Sequence, residues 1–124
     1  MYNNILIVDS EPNLTMGLSF LLRHAGWNVS IASSYAEAMT EAGRQTPSLA
    51  LIDAKLPDRS GYDLCQSLLG LPGMQALPIL MLTTHGLEVE REKALSLGAV
   101  DFIVKPFSPA DVLARVQELL KEAA

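Results

Sequence analysis

The chain has 124 residues, of which 49% are hydrophobic and 19% charged, and its 14 acidic and 9 basic side chains give a formal net charge of −5. This apolar content can form a buried core, which excludes a largely disordered chain, and the length predicts that residues 1–124 form one domain. The acidic balance argues against direct binding of nucleic acid, because duplex affinity rests largely on lysine and arginine.

The N-terminus and the cysteine content indicate the compartment. The first residues lack the basic region of a secretory signal, and no apolar run approaches the roughly 20 residues of a membrane-spanning helix. The single cysteine, Cys65, cannot form an internal disulfide and suits a reducing environment. We therefore expect a cytoplasmic protein that does not contact membranes.

Short apolar runs without alternation recur along the chain and predict strands that are buried on both faces. The runs are 5–8, 27–31 (more polar than the others), 49–52, 79–82 and 102–104. Between them, apolar residues at helical spacing form single stripes, as in segments 14–25 and 112–120. This alternation predicts an α/β fold with a doubly wound, five-stranded parallel sheet and helices on both faces. A chain this short fits the flavodoxin-like strand order 2-1-3-4-5.

Polar side chains follow four of these predicted strands. Asp9 follows the first strand, Asp53 the third, Thr83 the fourth and Lys105 the fifth. In this strand order, ligands bind beyond the carboxyl ends of the first and third strands. Two carboxylates there attract a hard cation such as Mg²⁺, and one of them can attack phosphorus to form an acyl phosphate. Hydroxyl and ammonium groups then neutralise the phosphoryl oxygens, which makes Asp53, Thr83 and Lys105 candidate phosphoryl-transfer residues.

The motifs around these residues resemble the receiver domain of two-component response regulators, a family that includes the chemotaxis regulators. The matching stretches are 5–11, 53–61, 82–84 and 98–107, so the resemblance extends over essentially the whole chain. It implies that Asp53 takes a phosphoryl group from a phosphohistidine on a sensor histidine kinase or a histidine phosphotransfer protein. It also implies that Thr83 and Lys105 contact this group, and that the chain modifies itself and is not a turnover enzyme.

The resemblance also implies a cofactor and a switch. Mg²⁺ would be held by Asp9, Asp53 and the backbone carbonyl of Lys55. Thr83 and Phe102 would be the switch residues that reshape a surface formed by the fourth helix, the fifth strand and the fifth helix. That surface would contact an output domain, a downstream protein or a second copy in a phosphorylation-dependent homodimer. The peptide bond between Lys105 and Pro106 is expected to be cis.

One position departs from the family pattern. The family normally has a second acidic residue directly after the position of Asp9, and here that residue is Ser10. A neutral hydroxyl is a poorer Mg²⁺ ligand than a carboxylate. Water and the longer side chain of Glu11 are both candidates for the missing ligand, and the sequence leaves them open. Lys55 and His85 would flank the path of the hydrolytic water, with no direction assigned to their effect on phosphoryl lifetime.

Three other functions are alternatives to this one. A pseudo-receiver would keep the fold as an interaction module without phosphorylation, which would explain Ser10 but not the presence of Asp53, Thr83 and Lys105. An aspartate-nucleophile hydrolase usually carries a second aspartate two residues after the first, where this chain has Lys55, and the chain has no room for a cap domain. A flavin module would need a hydroxyl- and glycine-rich loop at residues 10–13, which the sequence lacks. The charged segment 88–93 is interpreted either as a solvated helix face or as a partner contact.

Overall fold

The structure, a computed structural model, describes residues 3–84, 86 and 88–123. Strands and helices alternate strictly along this part of the chain. They are β1 Asn4–Val8, α1 Pro12–His24, β2 Asn28–Ala32, α2 Tyr35–Arg44, β3 Leu49–Asp53, α3 Gly61–Leu69, β4 Ile79–Thr83, α4 Glu88–Ser96, β5 Asp101–Val104 and α5 Pro109–Ala123.

The strands form one parallel sheet in the order β2-β1-β3-β4-β5, so the predicted fold class and strand order are confirmed. In its register, Val8 at the end of β1 pairs with Ile52, and Asp53 at the end of β3 pairs with Leu82. Thr83 at the end of β4 pairs with Val104. The carboxyl ends of four adjacent strands therefore lie together at one edge of the sheet.

The inner strands β1, β3 and β4 are buried on both faces, as their uninterrupted apolar runs predicted. The strands at the two edges of the sheet, β2 and β5, are only partly buried, so the prediction of full burial is wrong for run 102–104, because an edge strand has a neighbour on one side only. On one face, α1 and α5 pack through Leu18, Leu22, Val112 and Val116 against alternate strand residues. On the other face, α2, α3 and α4 cover the remaining strand side chains. Full burial of one such aliphatic side chain stabilises the fold by about 1.5–3 kcal/mol. Because many of these side chains are buried in each layer, the two layers together hold the sheet, and the strand ends at its carboxyl edge, in position.

The helices differ in how firmly they are attached. In α3, five of nine residues are buried, whereas in α4 Ala94 is the one residue classed as buried. Cys65 lies in the α3 layer with no exposed surface, and burial raises the pKa of its thiol to about 11.

Among the helices of the described residues, none is both long enough and apolar enough to cross a bilayer.

Candidate functional site

Three charged side chains meet at the carboxyl edge of the sheet. Lys105 follows β5, and its Nζ donates a hydrogen bond of 2.6 Å to Asp9 Oδ2 and one of 3.2 Å to Asp53 Oδ2. The same Nζ lies 3.5 Å from Glu11 Oε1. One ammonium group therefore lies within 3.5 Å of three carboxylates, two from the loop between β1 and α1 and one from the end of β3.

The two aspartates are held in similar ways. Asp9 Oδ1 accepts a hydrogen bond of 3.0 Å from the backbone N–H of Glu11, and Asp53 Oδ1 accepts one of 3.1 Å from the backbone N–H of Lys55. The Asp9 side chain is fully buried, while those of Lys105 and Asp53 are 9% and 13% exposed. Each aspartate thus uses one oxygen to fix its orientation and presents the other to the same cation.

Burial and charge act on these groups in opposite directions. Burial raises the pKa of Asp53, and the negative charge of Asp9 raises it further, while the Lys55 backbone hydrogen bond and Lys105 lower it without cancelling the increase. Burial alone lowers the pKa of Lys105, but its hydrogen bond to Asp9 and the charges of both aspartates outweigh burial and leave the pKa raised. Lys105 is therefore held as a cation between the carboxylates.

The donor set fits Mg²⁺. In the described part of the chain, no three His, Cys, Asp or Glu side chains come together as a ready metal cage. Mg²⁺ does not require such a cage, because it retains several waters and is typically held by one or two carboxylates. Asp9 and Asp53 both place an oxygen within 3.2 Å of one Nζ, so both carboxylates can reach a single cation.

Asp53 borders two cavities. One, of about 290 Å³, lies beside Lys105 and is lined by Ser10, Glu11, Asp53, Lys55, Leu56, Pro57, Thr84 and Lys105. The other, of about 190 Å³, lies towards α4 and is lined by Asp53, Ala54, Lys55, Tyr62, Thr83, Thr84, Glu90 and Lys93. Asp53 is therefore accessible from both sides, although most of its side chain is buried.

The remaining candidate residues lie nearby. Thr83 is buried at 3% exposure, and its carbonyl accepts a hydrogen bond of 2.6 Å from the backbone N–H of Lys105. Phe102 is half-buried and packs against the core layer that contains α3 and α4. The Lys105–Pro106 peptide is cis, which confirms that expectation. His85 lies outside the described residues.

The matching stretch 82–84 includes Thr84, but the sequence reasoning gave a role to Thr83 alone, and Thr84 borders both cavities. In the chain, Thr84 differs from Thr83 only in being the second of two consecutive threonines, so no local pattern distinguishes their roles. The structure separates them by burial, because Thr83 ends the buried strand β4 whereas Thr84 is exposed.

Gly61 was also missed, and it fixes the position of Asp53. Its backbone N–H donates a hydrogen bond of 2.9 Å to the carbonyl of Ala54. A Cβ on Gly61 would lie 1.9 Å from the backbone oxygen of Asp53, so no other residue fits without movement of the chain. In the sequence, Gly61 belongs to a glycine- and proline-containing loop after the third predicted strand, which indicates a turn but not this close approach.

The loop between β3 and α3 also contacts α2. Asp58 accepts hydrogen bonds of 2.9 and 3.0 Å from the backbone N–H groups of Tyr35 and Ala36, and these hold its pKa below the ordinary aspartate value. The Arg59 guanidinium lies 4.2 Å from the centre of the Tyr35 ring. The first turn of α2 is thus capped by a residue distant in sequence, a contact that no local spacing indicates.

Comparison with known proteins agrees with this arrangement. The model of the response regulator receiver domain matches residues 5–117. The chain belongs to this family. Family membership confirms the resemblance inferred from the motifs, and receiver domains are signalling modules whose phosphorylation generally uses Mg²⁺.

Curated relatives include longer regulators. The receiver domain is 38% identical to the transcriptional regulatory protein CreB of Escherichia coli over 117 residues. These residues cover 94% of this chain and 50% of CreB. The domain is 37% identical over 123 residues to the phosphate regulon transcriptional regulatory protein PhoB of Rhizobium meliloti, covering 99% of this chain and 54% of PhoB. The chain therefore spans about half the length of the curated relatives it matches.

Solved structures match over nearly the full chain. A CheY-like receiver domain protein of Methanospirillum hungatei superposes with a TM-score of 0.90 at 30% identity, covering 98% of this chain and 96% of the other. The chemotaxis protein CheY4 of Vibrio cholerae gives a TM-score of 0.90 at 26% identity, covering 95% of this chain and 98% of the other. The BeF3-activated DrrB receiver domain gives 0.88 at 26% identity, covering 98% of this chain and 99% of the other.

Proposed function

We propose that this receiver domain is a phosphorylation-dependent switch in which Asp53 accepts a phosphoryl group from a phosphohistidine on a sensor histidine kinase or a histidine phosphotransfer protein. The observation that carries the proposal is the single ammonium group of Lys105 bonded to both Asp9 and Asp53 at the carboxyl edge of the sheet. Aspartyl phosphorylation needs these groups, namely a nucleophile, a second carboxylate and a side-chain cation.

The transfer can be written from these residues. Asp53 Oδ2 attacks phosphorus, the P–N bond to the imidazole breaks, and the released imidazole takes up a proton. Lys105 Nζ, already 3.2 Å from Asp53 Oδ2, then donates to a phosphoryl oxygen. Mg²⁺, when bound, neutralises charge on the phosphoryl oxygens, and Asp9, Asp53 and the carbonyl of Lys55 would hold it. Ser10 stands where the family normally has an acidic ligand. Both Ser10 and Glu11 line the cavity of about 290 Å³ that Asp53 borders.

The change in conformation is proposed to pass through Thr83 and Phe102. Thr83 lies on the cavity that borders Asp53, and Phe102 pairs in register with Met81, two residues before Thr83. In the proposal, the Thr83 hydroxyl contacts the phosphoryl group and Phe102 repacks, which alters the surface of α4, β5 and α5. Phosphorylation can shift this equilibrium only through such differential contacts.

The partners are proposed from the relatives. CreB and PhoB are named transcriptional regulatory proteins, and this chain matches about half of each. We propose that the α4, β5 and α5 surface contacts an output domain, a downstream protein or a second phosphorylated copy, and that this domain itself does not bind nucleic acid. The protein acts in the cytoplasm and modifies itself without turning over a substrate.

The alternative is the pseudo-receiver. It is favoured by Ser10, an exposed hydroxyl residue lining the cavity where the family normally has a second carboxylate. In that case Asp53 and Lys105 would be retained as a structural ion pair.

Intact-mass spectrometry after incubation with acetyl phosphate, with and without Mg²⁺, separates the two. We expect one Mg²⁺-dependent phosphoryl adduct in the wild type and none in Asp53→Asn. The matched control is Asp63→Asn in α3, which changes the mass and charge equally and should be labelled as the wild type is. No adduct in the wild type from acetyl phosphate or from a phosphohistidine donor, together with undetectable Mg²⁺ binding, would support the pseudo-receiver.

A further inference from the structure

A cluster of three side chains joins α3 to α4 beside the proposed phosphorylation site. The Tyr62 hydroxyl of α3 donates a hydrogen bond of 2.6 Å to Glu90 Oε2 of α4. One turn further along α4, Lys93 Nζ lies 4.4 Å from the centre of the Tyr62 ring. We call Tyr62, Glu90 and Lys93 the α3–α4 cluster.

This cluster is a polar attachment of α4 to α3. Ala94 is the one buried residue of α4, so apolar burial contributes little to its position. A hydrogen bond to a carboxylate is roughly twice as strong as one between neutral groups, and a lysine over an aromatic ring adds a further attraction. Burial, and then the Glu90 carboxylate, raise the pKa of the Tyr62 hydroxyl, so it remains a donor.

The cluster also connects the two segments that carry Asp53 and Thr83. Tyr62 directly follows Gly61, whose N–H is bonded to the carbonyl of Ala54, next to Asp53. Glu90 lies in the first turn of α4, the helix that follows β4 and Thr83. The α3–α4 cluster therefore lies between the segment that follows Asp53 and the helix that follows Thr83.

The charges of Glu90 and Lys93 indicate how phosphorylation of Asp53 would act on the cluster. Asp53 and Glu90 line the same cavity of about 190 Å³. A phosphoryl group on Asp53 adds negative charge to that cavity, which repels the Glu90 carboxylate and attracts the Lys93 ammonium. Both forces oppose the arrangement seen here, in which Glu90 accepts from Tyr62 and Lys93 covers its ring.

We propose that the α3–α4 cluster stabilises the unphosphorylated position of α4 and is broken when Asp53 is phosphorylated. This inference rests on the proposed function, because it assigns a regulatory element to the same site. The coupling between phosphorylation of Asp53 and formation of the α3–α4 cluster is reciprocal. If phosphorylation weakens the cluster by a given factor, loss of the cluster raises the affinity of Asp53 for a phosphoryl group or its analogue by the same factor.

The test uses Tyr62→Phe, which removes the hydroxyl and keeps the ring. The matched control is Tyr35→Phe, because the Tyr35 hydroxyl makes a similar bond of 2.7 Å to Ser67 between α2 and α3, away from α4. Glu90→Gln is a second cluster variant. It removes the carboxylate charge at a position that is less buried than Tyr62. Two quantities are measured in each protein: hydrogen exchange of the α4 amides without ligand, and affinity for beryllofluoride in the presence of Mg²⁺.

We expect faster exchange in α4 for Tyr62→Phe and Glu90→Gln but not for Tyr35→Phe. We also expect beryllofluoride to bind the two cluster variants about fivefold more tightly than the wild type, the lower end of common allosteric couplings. Unchanged α4 exchange in both variants would overturn the inference, as would faster exchange with unchanged or weaker beryllofluoride binding. Failure of every protein, including the wild type, to bind beryllofluoride would instead refute the proposed function and the inference with it.

Discussion

Replacement of Gly61 by alanine tests the geometry around Asp53. The added Cβ would lie 1.9 Å from the backbone oxygen of Asp53 and 2.8 Å from its carbonyl carbon, whereas real Cβ contacts almost never fall below 3.0 Å. The strand end or the start of α3 must therefore move by roughly 1 Å, and overpacking of this kind typically costs about 1–3 kcal/mol. Because a displacement of about 1 Å in a reacting group can cost about 10²-fold in rate, labelling of Asp53 should fall by at least about tenfold.

The same substitution at Gly17 is the matched control. Gly17 lies within α1, and a Cβ there would meet no atom within 4 Å. Alanine should stabilise that helix by about 0.5–1 kcal/mol because glycine loses more backbone freedom on folding. Urea unfolding and acetyl phosphate labelling would be measured for both variants. A Gly61→Ala protein that is as stable as the wild type and is labelled at the same rate would contradict the close approach of Gly61 to the Asp53 backbone.

Three further predictions concern Lys105, Asp58 and Ser10. Lys105→Met should lower the free energy of unfolding by about 3 kcal/mol in EDTA, because Asp9 and Asp53 lose their shared cation, and an unchanged urea midpoint would contradict this. Asp58 has a lowered pKa in the folded state, so its stabilising contribution is present above the ordinary value of 3.8 and is lost as pH falls through the folded value. Asp58→Asn should therefore flatten the acid limb of the melting-temperature profile, and identical profiles would count against the α2 cap. Ser10→Asp should tighten Mg²⁺ binding by at least about tenfold in calorimetry, and unchanged affinity would show that this position does not contribute to the metal site.

The sequence was sufficient for the architecture because the fold follows from local patterns. Apolar runs such as 49–52 are too continuous for a half-exposed strand, and residues 14–25 show one apolar helical face. The position of the candidate site followed from topology, since residues directly after parallel strands must meet at one edge. This is why Asp9, Asp53 and Lys105 could be grouped before any distance was known.

The contacts that were missed join segments distant in sequence. Asp58 caps α2, and Tyr62 bonds to Glu90, which the sequence placed in a charged segment facing solvent or a partner. Hydrogen bonds of this kind depend on the packing of two loops or helices and leave no periodic signal. The close approach of Gly61 to Asp53 is likewise a property of the folded loop and is not visible in the glycine alone.

Chemical trapping locates the phosphoryl group that Asp53 is proposed to carry. The protein would be incubated with acetyl phosphate and Mg²⁺ and then treated with borohydride, which reduces an aspartyl phosphate to homoserine. Peptide sequencing by mass spectrometry would locate the converted residue. We expect homoserine at position 53 and aspartate at position 9, and conversion at any other aspartate while Asp53 stays intact would refute phosphorylation of Asp53.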